Sequence, residues 1–246
     1  MAIERRDEMM RVRRHWFTLL IPCLSLLGAP VSAATRTYIV TDYDSLRVEG
    51  PLDVTVETGR GASARGEGNR EALDAVELRV SARVLTVRFR SSALGTPARA
   101  EAGAVRLMLT APALRRVQLS GMGAVRADGL DKGRVEVGLI GSGRMEIAGI
   151  DSDTLIVSQT GGGSLMLAGR AGDVRLRASG SGSLDAAALS AADLDLAVDG
   201  AATVEAKAER TAKVVLSGSG RATVDGRPAC IVRQAGSGTV RCGTGS

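Results

Sequence analysis

Aromatic residues are nearly missing from this 246-residue chain, which has two Tyr, two Phe and one Trp. Histidine occurs once, cysteine three times and proline six times. Each shortage narrows the field. The single His15 and the single Trp16 both fall within the first 33 residues, which read as an export signal. Beyond that segment the chain has no His, so Ser-His-Asp and Cys-His catalysis and imidazole metal ligation are excluded. The scarcity of aromatic rings removes the usual platform for stacking bases or sugars. No apolar run is long enough to span a membrane comfortably. Catalytic residues, cofactors and metal sites are therefore expected to be none.

The export signal rests on three features. Arg11, Arg13 and Arg14 form a positive start, Phe17 to Leu27 is mostly apolar, and Val31-Ser32-Ala33 offers small residues for cleavage after Ala33 or Ala34. Cys23 follows Leu20-Ile21-Pro22, a poor lipoprotein box. The segment carries five Arg and three acidic residues, so its loss lowers the net charge from +5 to +3. A chain so nearly balanced, with no continuous basic stripe, is not expected to bind nucleic acid. Cys230 and Cys242 remain, and an even pair in an oxidising compartment predicts a disulfide. The localisation expected is the periplasm or outer cell envelope.

Glycine is abundant instead, at 31 residues, and it is periodic. Gly121, Gly141, Gly161, Gly180, Gly200, Gly218 and Gly236 recur at spacings of 20, 20, 19, 20, 18 and 18 residues. A second glycine follows two positions later in six of the seven, Ala202 being the exception. Four positions before each first glycine stand Val117, Val137, Val157, Leu176, Leu196, Val214 and Val232. Four after stand Val125, Met145, Leu165, Leu184, Val204, Ala222 and Val240. Aliphatic residues also dominate six before and six after, with polar residues between. Period-2 alternation on both sides of a glycine corner predicts two short strands per unit. One unit cannot bury its own apolar face, but stacked units can. The fold expected is all-β: a parallel β-helix, or β-solenoid, of ~18–20-residue coils with Gly-x-Gly corners. No Gly-Lys-Ser/Thr follows any corner and no helix pattern succeeds one, so a phosphate-cradling role is excluded.

The organisation expected is a signal peptide (1–33), a less regular β-rich region (34–111), a repeat solenoid (112–242) and a short tail (243–246). Residues 91–103 read as a surface loop. The β-rich region either starts the same solenoid with longer coils or caps it.

The stretches "SLRVEGPLDVTVETG" (45–59) and "PALRRVQLSGMGAVRADGL" (112–130), with "SGSG" at 179–182 and 217–220, resemble the putative auto-transporter adhesin, head GIN domain family. The resemblance covers roughly residues 37–242. It implies an exported all-β protein with β-helical character. It supplies no catalytic residues to carry over.

Three groups of side chains are candidates for a role. Asp193, Asp195, Asp199 and Glu205 lie near the corner whose second glycine is missing; they form a weak acidic cluster. Ile156, Met166 and Ile231 occupy outward positions that are otherwise polar, a candidate interaction patch. Cys230 and Cys242 fall symmetrically about Gly236 in the last coil. A disulfide there needs the coil to narrow, because facing sheets stand about 10 Å apart. The leading reading is a non-catalytic scaffold, adhesion or interaction module of the Gram-negative envelope, with an envelope protein or glycan as partner. The alternative is a carbohydrate-active solenoid, polysaccharide-binding or polysaccharide-cleaving, using the acidic corner near Asp199.

Overall fold

Strands dominate the structure, a computed structural model that describes residues 34–90, 105–130 and 133–243. The segments read as export signal and surface loop, and all of the tail but Gly243, lie outside the described residues. The alternation around each corner glycine is realised as two parallel ladders, with strands numbered along the chain. The ladder before the corner stacks β6 (Val84–Phe89), β2 (Ser45–Glu49), β8 (Arg116–Gly121) and β10 (Arg134–Gly141). It continues through the C-terminal parts of β11 (Arg144–Gly161), β12 (Ser164–Gly180), β13 (Ser183–Gly200) and β14 (Thr203–Gly218), and ends at β16 (Ala229–Ala235). The ladder after the corner stacks β7 (Arg106–Ala111), β3 (Asp53–Thr58), β9 (Ala124–Asp128), the N-terminal parts of β11 to β14, β15 (Arg221–Gly226) and β17 (Thr239–Cys242). The expected β-solenoid is thus the observed fold.

A third, shorter ladder was not signalled by the sequence. Ile150–Ser152 pairs with Gly169–Ala171, which pairs in turn with Leu189–Ala191. Register shifts at Ile147/Ile150 and Met166/Ala168 carry the chain into it. Bulges of this kind bend a strand without ending it. This is why β11, β12 and β13 run 17–18 residues as single strands around the turn.

The aliphatic columns face a common interior. Val117, Val157, Leu176, Leu196 and Val214 are 0% exposed and Val137 is 2% exposed. Each contributes about 1.5–3 kcal/mol of burial before chain entropy is subtracted. The column two positions before the corner is also buried: Leu119, Leu139, Ala178, Val198 and Leu216. Gln159 interrupts it and is buried as well. Its Nε2 donates to the Gly163 carbonyl at 2.7 Å and the Ser183 carbonyl at 3.2 Å, while its Oε1 has no partner. An unsatisfied buried acceptor offsets much of what those bonds contribute. Gln159→Leu restores the leucine of the two preceding turns, and its expected stability is equal to or above the native value, within about 1 kcal/mol. Urea denaturation checks this; a loss beyond that range would show that the amide bonds outweigh the orphaned oxygen.

The N-terminal region threads the stack out of sequence order. β2 and β3 form a turn lying between the β6–β7 turn and the β8–β9 turn. Between them in sequence, β4 (Ser63–Gly68), α1 (Arg70–Ala75) and β5 (Val76–Ser81) cover the end of the stack. β5 lies antiparallel on β6, β4 antiparallel on β7, and β1 (Ala34–Tyr38) antiparallel on β4. Asn69 caps α1 through its side chain, and Ala72 and Leu73 bury its inner face. Solenoid ends need such a cap because their last coil has no neighbour.

Asp44 ties this arrangement together. Its carboxylate, 8% exposed, accepts bonds from Arg83 at 2.8 Å and Arg115 at 2.5 Å, and from the Ser45 hydroxyl at 3.0 Å. Its backbone carbonyl accepts from Arg115 N–H at 2.8 Å. Arg115 occupies a column that is aliphatic in most later turns, and the carboxylate is what draws its side chain outward. Burial alone would raise the Asp44 pKa. The bonds from Arg83, Arg115 and Ser45 overcome this and hold it at about 2. A depressed carboxylate stabilises fully above its unfolded value, near 3.9, and loses that contribution as pH falls through the folded value. Between about pH 4 and pH 2 the native protein is expected to lose about 1–2 kcal/mol that Asp44→Asn has already lost at neutral pH. Parallel acid titrations of the two proteins by circular dichroism test this: the gap between them should close over that window.

Candidate interaction surface

Side chains pointing away from the interior sit on a lattice fixed by the ladders. The column five before the corner runs Arg116, Glu136, Ile156, Arg175, Asp195, Lys213 and Ile231 in register. The column five after runs Thr55, Arg126, Glu146, Met166, Asp185, Glu205, Thr223 and Arg241. Alternating signs meet along the first column and at Arg126 and Glu146 on the second, where Asp185 and Glu205 stand side by side with like charge. Arg116 and Arg134 hold Glu136 at 2.9 and 3.0 Å, and Arg126 holds Glu146 at 2.9 Å. Burial opposes ionisation of Glu136, but the bonds from Arg134 and Arg116 prevail and lower its pKa. Such exposed pairs contribute only about 0–1 kcal/mol each. Their effect is to tile the faces with neutralised charge.

The candidate residues occupy separate places on this lattice. Ile156 lies half-buried between Glu136 and Arg175 on the first ladder. Met166, 46% exposed, lies between Glu146 and Asp185 on the second. Ile231, 62% exposed, sits beside Lys213 on the final strand of the first ladder. The structure does not gather these three into one patch. Of the four carboxylates, Asp193 and Asp195 stand two positions apart on the outer face of β13, Asp199 four residues further along it, and Glu205 beyond the corner on the second ladder. Asp193 is engaged by Arg210 and by the Thr211 hydroxyl at 2.7 Å. Asp195 stands between Arg175 and Lys213, Asp199 between Ser179 and Ser217, and Glu205 between Asp185 and Thr223. Among the described residues, no group of three or more His, Cys, Asp or Glu is placed to hold a metal ion. No helix among them is long and apolar enough to cross a membrane.

Exposed apolar side chains that escaped the sequence reading include Ile39, fully exposed, Met108, 49% exposed beside Thr55 in the outward column of the second ladder, and two residues at the corners. Met122, 64% exposed, is the residue between the paired glycines of one corner, and Ile140, 58% exposed, is the last residue before the next corner. Neither falls in a column that the alternation pattern tests. Gly50, with φ +98°, is a further corner residue, directly beneath Gly121 in the stack. Pro51 and Leu52 follow it in place of the x-Gly pair, which hid the match.

Cys230 and Cys242 are joined, with Cα atoms 6.2 Å apart. Cys230 is the second residue of β16 and Cys242 the last of β17, so the bond ties the two strands of the final turn together across Gly236. Both continue inward columns, with Ala212 in register beneath Cys230 and Val224 beneath Cys242.

These features define a parallel β-solenoid with glycine corners, a covered N-terminal end and a disulfide in its final turn. The chain belongs to the family described as putative auto-transporter adhesin, head GIN domain, which it matches over residues 42–228. Solved structures share the fold. A putative adhesin from Bacteroides fragilis is 20% identical, with a TM-score of 0.75 over 85% of this chain and 96% of its own. A putative lipid binding protein from Parabacteroides distasonis is 17% identical, with a TM-score of 0.67 over 88% of this chain and 98% of its own. A putative adhesin from Parabacteroides merdae is 18% identical, with a TM-score of 0.64 over 86% and 96%. No curated protein sequence matches significantly.

Proposed function

We propose that this protein is an exported, non-catalytic β-solenoid that serves as an adhesion or interaction scaffold in the Gram-negative cell envelope. The observation carrying this reading is the lattice itself. Outward side chains are held at fixed spacing on long ladders, and the acidic residues of the candidate cluster are divided between the two. Rigid faces of that kind suit recognition of an extended partner surface, where many shallow contacts add up. The disulfide supports an oxidising compartment, since such bonds persist outside the cytosol. The partner class is an envelope protein or glycan.

Cell fractionation of the native host, combined with N-terminal sequencing, tests export. The expected result is a chain beginning at Ala34 or Thr35 in the envelope fraction. Intact chain retained in the cytosol would overturn the proposal. Protease treatment of whole cells then separates surface display, in which the protein is cut, from a periplasmic address, in which it is spared.

A further inference from the structure

The two ends of the stack differ. The N-terminal end is covered by antiparallel β4, β5 and β1 and by α1. At the other end, every residue of β16 is exposed. Val232 occupies the column that is buried in every preceding repeat, yet it is 44% exposed. Val240 is half-buried. Among the described residues, nothing lies on the outer edges of β16 and β17. Their outward-facing N–H and C=O groups form an open template for strand addition.

We propose that this edge pairs with the same edge of a second copy of the chain, forming a two-fold symmetric dimer. The argument is self-complementarity about Gly236. Strand β16 runs toward that corner and β17 runs away from it. A two-fold axis lying in the end plane and passing through the corner sets β16 antiparallel to the second copy's β17, and β17 antiparallel to its β16. Positions equally distant from Gly236 then face each other. Val232 meets the second copy's Val240 inside, completing the aliphatic column. Outside, Ile231 meets the aliphatic stem of Arg241, and Arg233 meets Thr239. No two like charges are opposed, although three Arg (Arg227, Arg233 and Arg241) lie at this end. Inward residues face inward residues, as antiparallel pairing requires. The disulfide fixes the spread of the two strands before association, which lowers the ordering cost of binding. Head-to-tail stacking into fibres meets mismatched edges: at the N-terminal end the first ladder stops at antiparallel β5, one strand beyond β6, while the second runs on to β1, two strands beyond β7, so β16 and β17 cannot both pair there in register. The contact is therefore isologous and closes at two copies.

The test is sedimentation equilibrium of the oxidised full chain across the micromolar range. The expected result is a reversible monomer–dimer equilibrium. Val232→Glu alone and Val240→Lys alone should each weaken dimerisation at least tenfold. Both positions are solvent-accessible in the monomer, so unchanged circular dichroism is expected for each variant. Mixing the two variants should restore a dimer, because the carboxylate introduced in one copy then faces the ammonium introduced in the other. Three outcomes would overturn the proposal: a wild-type monomer at every concentration, open-ended polymers, or a dimer insensitive to both substitutions. A wild-type monomer that another protein's strand converts to a heterodimer would equally overturn it, since a different occupant would then cover the edge.

Discussion

Replacing Gly161 by alanine is expected to destabilise the protein by about 3 kcal/mol, while the same change at the adjacent Gly162 is expected to cost less than about 0.5 kcal/mol. The contrast follows from geometry. Gly161 has φ +113°, a region that L side chains rarely enter. An added Cβ would stand 2.5 Å from the Gly141 carbonyl oxygen and 3.1 Å from its carbon. That oxygen cannot retreat cheaply, because it already accepts bonds from Gly162 N–H at 3.1 Å and Gly163 N–H at 3.0 Å. Relief therefore means breaking a bridge between stacked corners, at about 1 kcal/mol or more per bond, in addition to the backbone strain. At Gly162 the nearest atom to an added Cβ is the Ser181 hydroxyl, 3.6 Å away. Met122, Ser142, Ser181, Ala201, Ser219 and Ser237 take the same place in other corners. Alanine at Gly162 also narrows the unfolded ensemble, which offsets part of any loss. Urea denaturation of the two variants checks the prediction. Equal losses would mean that the corner tolerates or rejects side chains without regard to φ and contact.

That contrast also indicates how much was legible in the residues. A glycine that must adopt positive φ against a neighbour's backbone repeats with little substitution, so Gly121 through Gly236 announce the corners. Columns such as Val137, Val157 and Leu176 announce the interior, because a period of two is imposed on every stacked strand. The third ladder left no such mark. It is only three residues wide, large side chains such as Ile150 and Leu189 alternate in it with Gly169, Ala171 and Ala191, and the bulges that lead into it break the period. The N-terminal turn was legible as strands but not as a place in the stack. Pairing of β2 with β8 joins residues about 70 positions apart, which no local pattern encodes. Asp44 shows the same limit: it is an ordinary aspartate until the fold brings Arg83 and Arg115 to it. The candidate surface was legible only column by column. Ile156 and Met166 stand in outward columns, but they lie on different ladders, and a repeat pattern alone does not say how ladders are set around the turn. Met122 and Ile140 lie at the corner, where alternation stops being informative.

Reduction of Cys230–Cys242 is expected to loosen the final turn by about 3 kcal/mol while leaving the middle of the stack intact. The bond closes a loop of sequence separation 12, for which the loss of unfolded-state entropy gives that magnitude. Little else holds the turn. β16 is exposed along its whole length, so the burial that fixes Val157 or Leu196 is much weaker at Val232. The turn's other ties include the ladder bonds of β16 to β14 and of β17 to β15, the corner bond from Gly238 N–H to the Gly218 carbonyl at 2.9 Å, and the Gln234 side chain, which donates to the Gly238 carbonyl at 2.7 Å. In a stack where each turn touches only its neighbours, a defect at one end propagates weakly. Hydrogen exchange of the Cys230→Ser, Cys242→Ser double variant measures this directly. Amides of residues 229–242 should exchange about 100-fold faster than in the native protein, as 3 kcal/mol of lost local stability requires. Those around Val137 and Val157 should keep their native rates. A uniform acceleration would mean that the turns melt together, and the final disulfide would then act as a clamp on the entire solenoid rather than on its last coil.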